Sequence, residues 1–199
     1  MGLGKQSKVL TDKQVQVMVS YLKDRRNGLR NVVIFLLSVK SGLRSKEISN
    51  LTWSMMVTPE GDLGDSIHLT NKSSKGKSGR IIPLNKDLKV YLEDLYEIEK
   101  STRGFDIRHS HVVRTERSPS TSPQSIVNMF QRWYRDVGFV GCSSHSGRRT
   151  FITNTSRKIG QVGGSLRDIQ MLVGHKNLQT TQRYIDHDSE CQKKVVNLV

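Results

Sequence analysis

Hydrophobic and polar positions follow a helical rhythm along most of this chain. Thr11-Asp-Lys-Gln14 has capping-box spacing, and Val15, Val17, Met18, Tyr21 and Leu22 form a stripe that runs out near Asn27-Gly28. Val32 to Val39 is an apolar run read as a helix stopping at Ser41-Gly42, where glycine suits a left-handed cap. Ser45 is expected to cap a short helix through Lys46, Glu47 and Ile48. After turn material at residues 58–65, Ser66–Thr70 and Arg80–Leu84 are β-prone runs flanking a Lys-, Ser- and Gly-rich loop, which predicts a hairpin. A helix from about Lys86 to Lys100 uses Leu88, Tyr91, Leu92 and Leu95, whereas residues 101–123 show no period. Pro123 suits the first turn of a helix through Ile126, Val127, Phe130, Trp133 and Val137. Further helices are predicted at 146–158, 165–173, 178–186 and 189–198. The expected fold class is mainly α with a small antiparallel β-sheet (α+β).

At 199 residues, with no break in composition, the chain reads as one domain preceded by a polar, basic arm over residues 1–10. Charge sharpens the picture: 32 Lys+Arg against 18 Asp+Glu leave +14. Such an excess favours a polyanion, because neutralising phosphates releases counterions and steers association. A membrane partner is not expected, since the longest apolar run, Val32 to Leu37, is far shorter than a spanning helix. The first ten residues hold no apolar core of a secretory signal, and two cysteines, Cys142 and Cys191, suggest no oxidised framework. A cytoplasmic setting is the expectation.

Several motifs compete for the chemistry. Lys75-Gly-Lys77-Ser78 superficially suggests a nucleotide-binding loop, but the glycine required five residues before Gly76 is Asn71, and a strand-like run follows rather than a helix. The six histidines show no convincing ligand spacing, so no metal site is expected. Trp133 and Tyr134 read as core and helix-surface residues rather than base-stacking platforms. Arg44 and Glu47 share a helical face, either as a weak surface pair or as part of a phosphate pocket, and local sequence does not choose. The last third carries His145, Arg148, Arg149, His175 and Tyr184 within about forty residues. Arginines and histidines can clamp and protonate a phosphodiester, and a tyrosine hydroxyl can attack one.

Three blocks then resemble the tyrosine recombinases, the phage-integrase family: Ser41-Gly-Leu-Arg44-Ser-Lys-Glu47, His145-Ser-Gly-Arg148-Arg149-Thr-Phe151, and Gly174-His175 with Tyr184 nine residues beyond the histidine. The resemblance covers about residues 10–190. It implies a catalytic domain over 11–188, with a tail at 189–199 exchanged between subunits. It implies that Arg44, His145, Arg148, His175 and Tyr184 are catalytic, with Glu47 supporting them. The catalytic lysine is implied on the hairpin tip; counting back eight residues from Pro83 gives Lys75, with Lys72 and Lys77 as alternatives. Lys72, Lys77, Arg80 and Arg149 are the expected DNA-contacting cations.

The implied activity is site-specific DNA recombination through a 3′-phosphotyrosine, without metal, nucleotide or other cofactor. Double-stranded DNA at recombination sites would be the partner, bound by a homo-tetramer, with accessory DNA-bending proteins as further candidates. Most members carry an additional helical DNA-binding domain ahead of this one, whereas about ten residues precede it here, so a reduced build is the expectation. The rival readings are a non-catalytic DNA-binding regulator on the same fold and a topoisomerase-like relaxing enzyme. Intact Arg44, Arg148 and Tyr184 argue against the first, and the short chain with its tail against the second.

Overall fold

A computed structural model describes residues 7–71 and 79–184. Its order is α1 (Asp12–Lys23), α2 (Gly28–Ser41), α3 (Ser45–Ser49), β1 (Ser66–Leu69), β2 (Arg80–Pro83), α4 (Lys86–Lys100), α5 (Pro123–Asp136), α6 (Ser146–Lys158), α7 (Leu166–Val173) and α8 (Leu178–Gln182). The two strands pair antiparallel with Ile67 opposite Ile82, so the expected mainly helical fold with one small sheet is the one found. The helix at 189–198 and the hairpin tip with Lys72, Lys75 and Lys77 lie outside the described residues, as does Cys191.

Local signals start and stop these elements. Thr11 and Gln14 cap α1 reciprocally, Ser122 caps α5 ahead of Pro123, and Gly42 ends α2 in the left-handed conformation. The helix at Val32–Val39 extends further than its apolar run, starting at Gly28 behind Asn27, which takes a left-handed φ of 58°. Asparagine tolerates that region better than most residues. The cap of α3 differs from expectation. Arg44, not Ser45, is the N-cap, and its backbone N–H donates to Glu47 Oε2 at 2.9 Å.

Helix α2 is the axle. It is apolar nearly all round, with Val32 to Val39 buried without interruption, as a helix covered on every side must be. Helices α1, α4 and α6 pack on it, and α5 packs on α3. Tyr134, expected on a helix surface, is 1% exposed, with its ring stacked near those of Phe130 and Phe139. A second, smaller core of Ile152, Ile169 and Val173 joins α6 to α7, and Phe151, Ile159, Leu166 and Tyr184 pack against it. The chain's last described residues therefore rest on few apolar contacts, while the α2 core holds the rest.

Candidate functional site

Arg44, Glu47, Arg80 and Arg148, spread over more than a hundred positions, meet where the C-terminal ends of α2 and α7 approach the start of α3 and the base of β2. Glu47 is the hub. Its side chain is fully buried and accepts four hydrogen bonds: from the Arg44 amide at 2.9 Å, Arg44 Nη1 at 2.8 Å, and Arg80 Nη1 and Nη2 at 3.0 and 3.1 Å. Burial pushes the Glu47 carboxyl up, but the hydrogen bonds and charge of Arg80, reinforced by Arg44, hold it below the usual carboxylate range. Arg44 and Glu47 are thus not a weak surface pair.

Arg80 was expected to face a nucleic acid. Its side chain is only 6% exposed, because the guanidinium is turned inward onto Glu47 and its Nε donates to the Leu172 carbonyl at 2.8 Å. Its role is internal: it ties the base of the hairpin to α3 and to the end of α7. Gly174 makes room for it. That residue ends α7 at φ 64°, and a Cβ there would stand 2.9 Å from Arg80 Nη1.

Arg148 enters from the first turns of α6, where it is 4% exposed. Nη1 donates to the Gly42 carbonyl at 2.5 Å and Nη2 to the Val173 carbonyl at 2.7 Å, which fixes the plane of the guanidinium. Burial, then repulsion from Arg44, pushes Arg148 down to about 9, so it stays cationic at neutral pH. Gly42 is required twice over, by its φ of 66° and by the Phe151 ring, which a Cβ would meet at 2.5 Å. Gly147 is what lets α6 lie close on α2, since a Cβ there would meet Ser38 Oγ at 2.4 Å.

His175 is 8% exposed, its Nδ1 shares a 2.9 Å hydrogen bond with buried Thr181 Oγ1, and its backbone carbonyl accepts from Gln170 Nε2 at 2.9 Å. Burial, followed by the charges of Arg148, Arg44 and Arg80, pushes the imidazole down to about 4. It is therefore neutral at physiological pH. The Tyr184 ring stacks on it, with centroids 5.7 Å apart and 24° between planes, and the Arg149 guanidinium lies 5.9 Å from the Tyr184 centroid. His145 is exposed at the N-cap of α6, and it shares a pocket of about 260 Å³ with Ser7, Arg149, Thr180, Arg183 and Tyr184.

The structure thus gathers Arg44, Glu47, Arg148, His175 and Tyr184, with His145 on the rim beside Tyr184. It adds Arg80, Thr181 and Gln170, which sequence reasoning did not single out as supports. A cavity of about 660 Å³ between α1, α2, α4 and α6 is lined by none of these residues. The gathered cations of Arg44, Arg80, Arg148 and Arg149 lie apart from it, on the side of Tyr184. Among the described residues no cluster of His, Cys, Asp or Glu could hold a metal ion, and no helix is long and apolar enough to cross a membrane.

Comparison with known proteins gives the same blocks a wider context. The model of the phage integrase family matches residues 8–190. A tyrosine recombinase XerA of Thermococcus onnurineus (strain NA1) is 30% identical over 196 residues, covering 94% of this chain and 62% of that protein. The chain therefore spans under two thirds of the length of that relative. Among solved structures, a XerA recombinase superposes with a TM-score of 0.74 at 19% identity over 96% of this chain and 64% of that one. A XerH site-specific recombinase bound to its difH substrate superposes with a TM-score of 0.70 at 16% identity, over 98% of this chain and 55% of that one. At those identities the superpositions establish the fold.

Proposed function

The chain belongs to the phage integrase family, and from that premise we propose that it is a catalytic domain for site-specific DNA recombination acting through a 3′-phosphotyrosine. The observation that carries the proposal is the meeting of three cationic or hydrogen-bonding groups, Arg44, Arg148 and His175, beside a single tyrosine, Tyr184. In this reading Arg44 and Arg148 bind the non-bridging oxygens of the scissile phosphate, where planar guanidinium forks match the geometry well. Two of the five N–H donors of Arg148 are held by backbone carbonyls, so its plane is set before DNA arrives. His175, neutral, hydrogen-bonds the phosphate through Nε2.

Tyr184 Oη attacks phosphorus in line as its proton passes to His145, and the bond to the 5′ oxygen breaks. That oxygen leaves as a hydroxyl after taking a proton from Lys75, and the phosphodiester's energy is retained in the phosphotyrosine. Rejoining reverses the roles when an incoming 5′-hydroxyl attacks. Side chains supply the positive charge, so the scheme draws on no metal or nucleotide. Glu47 and Arg80 hold Arg44 and the hairpin base in register, and Arg149, Lys72 and Lys77 meet the DNA backbone.

Two duplexes each cut and rejoined twice imply a homo-tetramer on DNA. Residues 189–199 would dock on a neighbouring subunit, and DNA-bending proteins would assist; of the expected basic arm over residues 1–10, residues 7–10 pack against the domain instead. The proposed setting is the cytoplasm of a bacterial, archaeal or phage-infected cell. The decisive experiment is Tyr184→Phe on suicide DNA substrates. The variant should bind DNA as the parent does and form no covalent protein–DNA adduct, and adducts that persist would overturn the assignment.

A further inference from the structure

Residues 7–10 run alongside the loop that presents His145. Three contacts hold them there. Ser7 Oγ lies 2.6 Å from Ser143 Oγ, the Lys8 amide donates to the Gly141 carbonyl at 3.2 Å, and the Leu10 amide donates to Thr150 Oγ1 at 2.8 Å. The last of these is anchored deeply, because Leu10 is 2% exposed and Thr150 1%, and Thr150 Oγ1 donates onward to the Ser146 carbonyl at 2.8 Å. Lys8 lies over Gly141, where a Cβ would stand 2.9 Å from its Cε.

The loop they grip is soft on its own, with left-handed glycines at 138 and 141. Its end is a tight turn: the Ser146 amide donates to the Ser143 carbonyl at 2.8 Å, and the Ser143 amide donates to Ser146 Oγ at 3.0 Å. Ser143 Oγ accepts from the His145 amide at 3.2 Å, and its remaining partner is Ser7. The hydrogen-bond chain thus runs from Ser7 through Ser143 to the backbone of His145. Ser7 also lines the pocket that His145 shares with Tyr184.

We infer that residues 7–10 are a working part of the active site, with Ser7 and Ser143 as positioning residues that set the orientation of His145 for proton transfer at Tyr184. The inference rests on the tyrosine chemistry proposed above. A neutral hydrogen bond of this kind corresponds to a change of about twofold to tenfold in the rate of a step that depends on it. Single-turnover adduct formation at saturating suicide substrate should therefore be slowed by roughly that factor in Ser7→Ala, with unchanged DNA affinity and a melting temperature lowered by no more than about 6 °C. Ser7→Thr, which keeps the hydroxyl, should restore the rate, and Ser143→Ala, which loses two hydrogen bonds, should be slower still.

A wild-type rate in Ser7→Ala, an equal loss in Ser7→Thr, or a loss confined to DNA affinity would each overturn the inference. Adducts formed by the parent protein and lost in Tyr184→Phe establish the chemistry independently of Ser7. A normal rate in Ser7→Ala then sinks the positioning role of residues 7–10 alone.

Discussion

Replacing Glu47 by glutamine keeps the shape of the hub and removes its charge. The parent carboxylate is fully buried, with Arg80 at 6% and Arg44 at 25% side-chain exposure gathered on its two oxygens. In Glu47→Gln the amide NH₂ must face an arginine donor, and Arg80 is left as a buried cation beside Arg44 and Arg148. Removing one partner of a buried ion pair costs about 3–5 kcal/mol, because the stranded charge keeps its desolvation penalty. That is a large share of a typical domain stability of roughly 5–15 kcal/mol. At about 2–4 °C per kcal/mol for a chain of this size, the melting temperature should fall by roughly 6–20 °C.

Two controls make the reasoning refutable. Arg80→Met combined with Glu47→Gln should be less destabilised than the sum of the single variants, since each alone strands the other's charge. The pH profile should also differ. A carboxyl held below its unfolded value of about 4.3 contributes stability that is fully present above that pH and is lost as pH falls through its folded value. The parent should show that acid loss and Glu47→Gln should not. Urea denaturation that puts Glu47→Gln within about 1 kcal/mol of the parent, or finds the two substitutions additive within about 0.5 kcal/mol, would refute the buried-hub account.

Other outcomes follow from single features of the site. Gly42→Ala forces a left-handed φ and a clash with Phe151, so it should lose roughly 1–3 kcal/mol in chemical denaturation; because the Gly42 carbonyl orients Arg148, adduct formation should fall even where the variant is fully folded. The His175 ring should titrate near 4 by NMR, and the parent's stability should decline as pH drops from about 6.5 toward about 4, where the unfolded chain binds a proton that the folded one refuses; a midpoint near 6.5 would refute its neutrality at the site. A substrate with a 5′-bridging phosphorothiolate should rescue Lys75→Ala selectively, since a sulfur leaving group needs no proton, and should help Arg148→Ala far less; selective rescue of Lys72→Ala or Lys77→Ala instead would move the acid to that residue.

Periodicity was enough to find the longer described helices because each buries one face or, for α2, all of them, whereas α8 buries only Thr181 and ends at Gln182, short of the expected 178–186. The predicted 86–100 and 146–158 segments correspond to α4 and α6, and the β-prone runs to the paired strands. What failed did so where a side chain's surroundings, not its neighbours in sequence, decide. Ser45 is a better N-cap than arginine by local preference, yet the register of α3 is set by Glu47, which must turn inward to meet Arg80 thirty-three residues away. Arg80 reads as a surface cation of a basic hairpin, and only the folded chain brings a buried carboxylate to it. Tyr134 follows Trp133 on α5, but the α5 face that meets the core is wide enough to take both.

The deeper reason part of the site was illegible is that backbone carbonyls, which every residue possesses, do much of the orienting. Among the described residues, Arg148 forms no ion pair with a carboxylate, although it is nearly fully buried. Its two recorded partners are the carbonyls of Gly42, at the C-cap of α2, and Val173, the last residue of α7; Arg80 takes the carbonyl of Leu172 one residue earlier. The last carbonyls of a helix have no partner within it, and they carry the negative end of its dipole, equivalent to roughly half a charge. Two helix C-termini aimed at one point can therefore hold two guanidiniums in a place that water barely reaches. Arg80 has the Glu47 carboxylate as well, but Arg148 is held without a full negative charge that would compete for it with an incoming phosphate. A second carboxylate beside Glu47 would neutralise Arg148 and repel the phosphate; helix ends orient it and leave most of its positive charge unspent. That is why Gly42 and Gly174, which end those helices in the left-handed conformation, belong to the site as much as the side chains do.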